Sequence, residues 1–328
     1  MKLLILNHRE VEELLPMKEC IDVMAEAFMA LARGEFDQPL RTIVKPTGVK
    51  GVLAMMPSYR GGERPMFGLK AICVFPGNAA IGKDAHQGGV ILFDGTTGEM
   101  RLIANASAIT AIRTAAVSAL ATRVLANPDA GELALIGAGV QARYHLPAIA
   151  CVRKLTRVRV AARNFESAKR FAEEFAPNFA FPVEPTASAE EAVRGADIIV
   201  TATNAREPVV RREWISDGAH LNAIGTFSPQ AREIDSATMA AATLFTDRRE
   251  SLFNEAGDYL LAAAEGVINE DSLAAELGEV LIAKHPGRTS RDEITLFKSL
   301  GLAIEDLASA AFIHNVAQER AVGTWVDW

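Results

Sequence analysis

The amino-acid sequence predicts an α/β protein in two parts, and three observations carry that reading. After Pro128, short apolar strand-like runs alternate with helical stretches. One of those strands runs directly into Gly137-Ala138-Gly139-Val140-Gln141-Ala142. The segment before them follows another rhythm, with one long amphipathic helix among closely spaced strands. Strands alternating with helices build a parallel, doubly wound sheet, whereas the N-terminal pattern reads as an α+β domain. The 328 residues also suit two domains of about 100–200 residues each.

In the N-terminal part, Met17, Ile21, Met24, Ala25 and Phe28 recur at helical spacing, and Gly34 follows where that helix would stop. The runs Arg41–Pro46, Gly51–Pro57, Gly68–Phe75 and Gly88–Phe93 are short, apolar and bounded by Gly or Pro, as strands are. Asp94-Gly95-Thr96-Thr97-Gly98 has the composition of a turn between strands. The weakly polar stretch Leu102–Ala126 reads as a buried helix rich in Ala and Ser; Asn105, Arg113 and Arg123 argue against a membrane span. Beyond it, Glu132–Ile136, Val158–Ala162, Asp197–Ala202 and His220–Ile224 read as strands, with helices at Phe165–Phe175 and Glu190–Arg194 between them. From about Asn254 the chain reads as helical. The doubly wound domain is expected over 115–305, and the α+β substrate-binding and dimerisation domain over 1–114 and 306–328.

The glycine turn carries the first functional expectation. Leu133-Ala134-Leu135-Ile136 supplies the strand before it, and Val140 to Ala150 supplies a helix after it, with Ala142 as the third small position. That is the context in which a glycine-rich turn marks a Rossmann dinucleotide site. Gly137 permits the turn, and Gly139 admits a pyrophosphate to the backbone. The helix start, with Ala138, Val140 and Gln141, offers free N–H groups and a positive dipole end. The second strand ends in Ala161-Ala162-Arg163-Asn164, with no acid to bind the ribose hydroxyls of NAD. Arg163 there can hold a 2′-phosphate, which tilts the cofactor towards NADP, although an Arg stacked on adenine serves NAD as well. Thr201, Ala202 and Thr203 end a parallel strand, where open α/β sheets hold ligands, so Thr203 is expected near the cofactor.

Composition narrows the function classes. The net charge is −7, and Lys and Arg are dispersed, so nothing marks a nucleic-acid or anionic-membrane surface. Cys20, Cys73 and Cys151 lie far apart, which fits a reducing cytoplasm better than a disulfide framework. No His/Cys/Asp cluster has ligand spacing, and no metal is expected.

With these pieces in place, the chain resembles the ornithine cyclodeaminase/mu-crystallin family nearly end to end. The resemblance is carried by Gln38-Pro39-Leu40-Arg41, Met56-Pro57-Ser58-Tyr59, Gly68-Leu69-Lys70, Phe75-Pro76-Gly77-Asn78 and His86-Gln87-Gly88. It continues through Thr110-Ala111-Ile112-Arg113-Thr114-Ala115-Ala116, the glycine turn, and Thr295-Leu296-Phe297-Lys298-Ser299-Leu300-Gly301. It implies a homodimer built on the first domain, a cytoplasmic NAD(P)-dependent oxidoreductase acting on CH–NH2 or C=N groups, and an active site in a cleft between domains. Arg41, Lys70 and Arg113 match the positions that grip the substrate carboxylate, and Lys70 also matches the group beside the reacting nitrogen. Thr114, Gly225 and Ser299, with Lys298, match positions around the dinucleotide. One departure stands out: cyclodeaminases carry an Asp two residues before the proline of the segment equivalent to Ala223–Pro229, and this chain has Phe227. Phe227 cannot accept a hydrogen bond or a proton from a substrate ammonium, which speaks against ornithine cyclisation.

Residue chemistry points the same way. An arginine fork binds a carboxylate bidentately and keeps its charge, which suits Arg41 and Arg113; read alone, Arg41 is also compatible with a solvated surface charge. A Lys in an apolar strand beside two arginines has its charged form disfavoured, bringing Lys70 towards the range of a general acid/base, though an edge-strand Lys facing water fits the sequence equally. Met55, Met56 and Tyr59 are expected to line the pocket and Phe227 to close it. Arg60 is a second candidate anion binder, and His86 with Gln87 a candidate source of hydrogen bonds, although an isolated His is more often structural. The expected activity is reduction of a small 2-imino acid, of ketimine or iminosuccinate type, reversible as an amino-acid dehydrogenase. The alternatives are a cyclodeaminase-type lyase with bound NAD and a non-catalytic binding protein.

Overall fold

The computed structural model describes residues 2–328, apart from the side chains of residues 79 and 80. Two compact units divide the chain: residues 1–114 with 301–328, and residues 115–300. The chain thus re-enters the first unit at Gly301, a few residues ahead of the expected 306.

The first unit opens with β1 (Lys2–Leu6), α1 (His8–Leu14) and α2 (Met17–Ala32). Asn7 starts α1 through a capping box with Glu10. There follow β2 (Phe36–Asp37), β3 (Thr42–Val44), β4 (Val52–Arg60), β5 (Met66–Val74), β6 (His86–Asp94) and β7 (Met100–Asn105). Helix α3 runs over Ala106–Leu125. Met100–Asn105 corrects the reading of Leu102 onward as helix. The Asp94 carboxylate accepts the N–H groups of Thr96 and Thr97 at 2.9 and 3.0 Å. That turn sends the chain back as a strand paired with β6. The Asn105 side chain accepts from Ala108 N at 3.0 Å, so the helix begins only there. By length and hydropathy α3 is a candidate membrane span, yet 83% of its most apolar window is buried inside the protein.

The second unit contains β8 (Glu132–Ile136), α4 (Val140–Val152), β9 (Arg157–Ala161), α5 (Phe165–Phe175), β10 (Val183–Pro185), α6 (Ala189–Val193), β11 (Ile198–Thr201) and β12 (His220–Ala223). After them come α7 (Ser236–Ala241), β13 (Thr243–Thr246), α8 (Arg249–Glu255), α9 (Gly257–Ala264), β14 (Leu273–Glu276), α10 (Leu277–Leu281) and β15 (Thr295–Lys298). The region after Asn254 is therefore not all helix. Its strands β14 and β15 have four residues each, too few to display a period. The sheet order is β10-β9-β8-β11-β12-β15-β13-β14, and every pairing is parallel. That order reverses direction at β8 and β11, the switch point where such sheets bind ligands. Leu133, Leu135, Val158, Val160 and Ile198–Val200 are fully buried, as strands covered on both faces must be.

The chain closes with α11 (Ala303–Arg320) and β16 (Thr324–Asp327), which belong to the first unit. That unit's sheet runs β16-β1-β7-β6-β5-β4-β2, with β3 also on β4. Only the β1–β7 pairing is parallel. Side chains alternate between its two faces. Ala54, Met56, Ser58, Lys70, Ile72, Val90 and Leu92 are buried on one of them. Helix α11 lies against that face: a Cβ on Gly68 would stand 3.0 Å from Leu307, and Ser58 Oγ donates to Ala303 O at 3.3 Å. The other face carries Pro57, Leu69, Ile91, Ile103 and Ile5 in one cross-strand row, all at least partly exposed.

Candidate active site

In the first unit, strand alternation turns Lys70 towards α11, where it is 2% exposed. Its Nζ lies 3.2 Å from Asp306 Oδ1. Arg113, 4% exposed on α3, meets Glu305 Oε2 at 2.5 Å through Nη1 and Asp306 Oδ1 at 3.4 Å through Nε. Arg41, half-buried just before β3, donates from Nη2 to Gly301 O at 3.0 Å. Gly301 is required there: its φ is +77°, and a Cβ would stand 2.5 Å from Arg113 Nη1. Lys70, Arg113, Glu305 and Asp306 thus form a buried network balanced in charge, and Arg41 adds one positive charge at its edge.

The network sets protonation. Burial lowers the Lys70 amine to about 8; Asp306 opposes that, while Arg113 and Arg41 reinforce it. The amine can then give or take a proton near neutrality. His86 lies on the Lys70 face of the sheet, and burial together with Lys70 and Arg113 lowers it to about 4. Its imidazole is neutral at physiological pH, so it adds no charge to the site.

Three candidates lie elsewhere. Met56 pairs with Lys70 across β4 and β5 on the buried face, but Tyr59, three residues on, projects from the opposite face and packs on Phe67 at 4.7 Å between ring centres. Met55 shares the Tyr59 side by the same alternation. Arg60 is 3.8 Å from Glu35 and lies over the Phe36 ring at 5.5 Å, so its guanidinium is engaged away from the network.

In the second unit, the sequence-predicted turn residues gather at the switch point. Gly137 follows β8 with φ +116°, and a Cβ would stand 2.5 Å from Ala202 O, so β11 closes the turn only against glycine. Gly139 starts α4 with no side-chain cap, nothing lies within 4 Å of the space its Cβ would take, and Val140 is exposed. An uncapped helix start behind an open glycine fits a dinucleotide pyrophosphate. Ala138 completes that turn, and Gln141 Oε1 is buried without a hydrogen-bond partner. Arg163 and Asn164 are exposed after β9, and the Asn164 side chain caps α5 by accepting from Glu166 N at 3.0 Å.

The neighbouring strand ends are tied by groups that sequence reasoning missed. The fully buried Glu233 carboxylate accepts from Thr203 N and Oγ1, each at 2.7 Å, from Thr201 Oγ1 at 3.0 Å and from Gly225 N at 2.7 Å. Burial raises its pKa, opposed by Lys298 and the Thr203 donors. Lys298, fully buried, pairs with Asp258 at 2.8 Å and donates to Thr226 O at 2.8 Å. It therefore holds the loop after β12 to the start of α9. Ser299 Oγ is buried without a hydrogen-bond partner. Phe227 lies in the loop after β12, 43% exposed, and Thr114 is the last residue of the first unit.

Glu305 and Asp306 were also missed. The only signal in the sequence was a pair of acids in the first turn of the last helix, which reads as ordinary capping. Glu305 does cap, accepting from Leu302 N at 3.0 Å.

A parallel sheet in this order, with an open glycine turn at its switch point, defines the Rossmann type of dinucleotide-binding α/β protein. The chain belongs to the ornithine cyclodeaminase/mu-crystallin family, whose sequence pattern matches residues 1–321. It is 38% identical over 278 residues to the ketimine reductase mu-crystallin of Mus musculus, covering 85% of this chain and 84% of that one. Among solved structures it resembles the Thermococcus litoralis Δ1-pyrroline-2-carboxylate reductase in complex with NADH and L-proline. That likeness has 39% identity, a TM-score of 0.94, and coverage of 98% of this chain and 99% of that one. An archaeal alanine dehydrogenase dimer with bound NAD matches with 32% identity and a TM-score of 0.94, covering 100% of both chains.

Proposed function

We propose that the chain is an NAD(P)H-dependent reductase of a small 2-imino acid, of ketimine or iminosuccinate type, reversible as an amino-acid dehydrogenase. One observation carries the reading: a buried amine with its pKa near 8 stands in a network with Arg113, and Arg41 stands at its edge, donating to Gly301 O. Arg41 and Arg113 bind the carboxylate, and Met56 packs against the substrate. Lys70 gives its proton to the imine nitrogen as the imine carbon is reduced, and takes it back in the reverse direction. A bound dinucleotide supplies the hydride. Gly137, Ala138, Gly139, Val140 and Gln141 would hold its pyrophosphate, and Thr114, Thr201, Ala202, Thr203, Gly225 and Ser299 its nicotinamide half. Phe227 forms the apolar wall of the pocket. Tyr59 and Arg60 take no part.

Arg163, with no acid beside it, favours NADPH over NADH. A homodimer closes over the half-exposed sheet row of Pro57, Leu69, Ile91, Ile103 and Ile5. Ile91→Lys, which puts a charge in the middle of that row, is expected to give monomers in sedimentation; an unchanged dimer would move the interface elsewhere.

The test of function is a panel of cyclic ketimines, and of 2-oxo acids with ammonia or methylamine, run with NADPH and NADH separately. Net loss of nicotinamide absorbance with an imino acid, faster with NADPH, is expected. Ammonia release from ornithine without net absorbance change would replace the reading with a lyase. Dinucleotide binding with no turnover on any substrate would replace it with a binding protein.

A further inference from the structure

We propose that Asp306 is the positioning residue of Lys70, holding the amine in place and keeping it protonated in readiness for the substrate nitrogen. The inference deepens the reading of Lys70 as the proton donor and rests on it.

The geometry separates Asp306 from its neighbour. Glu305 divides its carboxylate between Arg113 and the backbone of Leu302, so helix capping and arginine pairing account for it. Asp306 has no such backbone duty. Its Oδ1 alone meets both Lys70 Nζ at 3.2 Å and Arg113 Nε at 3.4 Å, and its buried Oδ2 has no hydrogen-bond partner. A buried carboxylate with one oxygen unsatisfied is costly, and here its whole engagement is with the two groups that would handle substrate. One oxygen therefore ties the proton donor to the carboxylate clamp. A shift of either cation is felt by the other.

The charges around Lys70 show why the amine needs this partner. Arg113 from α3 and Arg41 from the segment before β3 both repel its charged form; His86 from β6 is neutral at working pH; Glu305 is spent on Arg113. Asp306 from α11 is the group that opposes burial and the arginines. Without it a desolvated lysine beside two guanidinium groups loses its proton at lower pH, and an amine that arrives neutral has nothing to give an imine.

The test compares pH profiles of kcat and kcat/KM for imine reduction in the holoenzyme and in Asp306→Asn, Asp306→Glu and Glu305→Gln. In Asp306→Asn the basic limb is expected to move about one pH unit or more towards acid. Asp306→Glu is expected to recover most of that displacement, and Glu305→Gln to raise KM while leaving the limb in place. An unmoved limb in Asp306→Asn, or an equal displacement in Glu305→Gln, overturns the proposal. A second measurement needs neither a variant nor a substrate. In the unmutated protein labelled with 13C at lysine Cε and aspartate Cγ, the Asp306 signal is expected to move as the Lys70 amine loses its proton, because the two groups are in contact. An Asp306 signal unmoved over that pH range overturns the proposal whatever the enzyme reduces. A coupled response with no imine turnover leaves the contact standing and sinks the catalytic reading alone.

Discussion

The two candidate regions are built by opposite means. In the second unit the candidate dinucleotide cradle is mostly backbone, drawn from one short stretch in which β8 passes through Gly137 and Gly139 into α4. In the first unit the candidate chemistry is all side chain, and the partners are remote: Arg113 and Glu305 are 192 residues apart, Lys70 and Asp306 236. A backbone site tolerates side-chain change but fails when a Cβ intrudes. A charged network tolerates small displacements but fails when one charge is removed, since each buried ion depends on the others. Substitutions in the two regions should therefore fail differently.

The largest separation is expected from Lys70→Ala. Removing a general acid costs on the order of 10²–10⁴ in rate, so kcat for imine reduction should fall by that range while dinucleotide affinity, measured by fluorescence titration, stays level. Undiminished turnover would remove the amine from the mechanism. In the intact enzyme, reduction needs the protonated amine, so its rate should be level below the Lys70 pKa of about 8 and fall above it. Amino-acid oxidation needs the neutral amine and should rise across the same pH. Two limbs of the same sign would mean that another group carries the proton.

Arg113→Lys keeps the charge and loses the fork. A charge-assisted hydrogen bond is worth about 1.5–3 kcal/mol, so KM for the imino acid should rise roughly 10–100-fold, with a smaller loss in kcat. An unchanged KM would assign the carboxylate to Arg41 alone. On the other side of the comparison, Gly137→Ala forces a Cβ towards Ala202 O at φ +116°. Strain of about 1–3 kcal/mol is expected, read as a lower melting temperature and weaker dinucleotide binding with substrate KM little altered. If KM for the imino acid moved as far as dinucleotide affinity, the two regions would not be separable in this way.

The same contrast explains what was legible in the sequence. The turn at Gly137 was readable because strand, glycines and helix are contiguous, and the parallel strands around it announced themselves as short apolar runs. Lys70 was readable as an oddity, a cation inside an apolar strand. Its partner was not: Asp306 sits in a helix first turn, where acids are common for a simpler reason, and only the tertiary fold carries it to β5. Glu233 carried no signal in the sequence, since its donors come from loops around Thr203 and Gly225. β15 has only Thr295–Lys298 to show, which is too short to tell from a buried helical turn. Tyr59 is a different kind of miss. Alternation within β4 already separates it from Met56, because residues three apart in a strand face opposite ways; grouping them by nearness in sequence put Tyr59 in the wrong place.

The smallest effect expected is at Arg60, and it marks where the charged network ends. Arg60 reaches Glu35 only at 3.8 Å, with its side chain 36% exposed and Glu35's 39%, and pairs of that kind contribute about 0–1 kcal/mol. Arg60→Ala should therefore leave KM and kcat within about twofold, equivalent to roughly 0.4 kcal/mol. Salt should matter as little to that variant as to the parent, since a screened surface pair has little left to lose. A tenfold rise in KM for an imino acid would mean that Arg60 leaves Glu35 when substrate binds. The site would then gain a cation, and a dicarboxylate such as iminosuccinate would fit it better than a cyclic monocarboxylate.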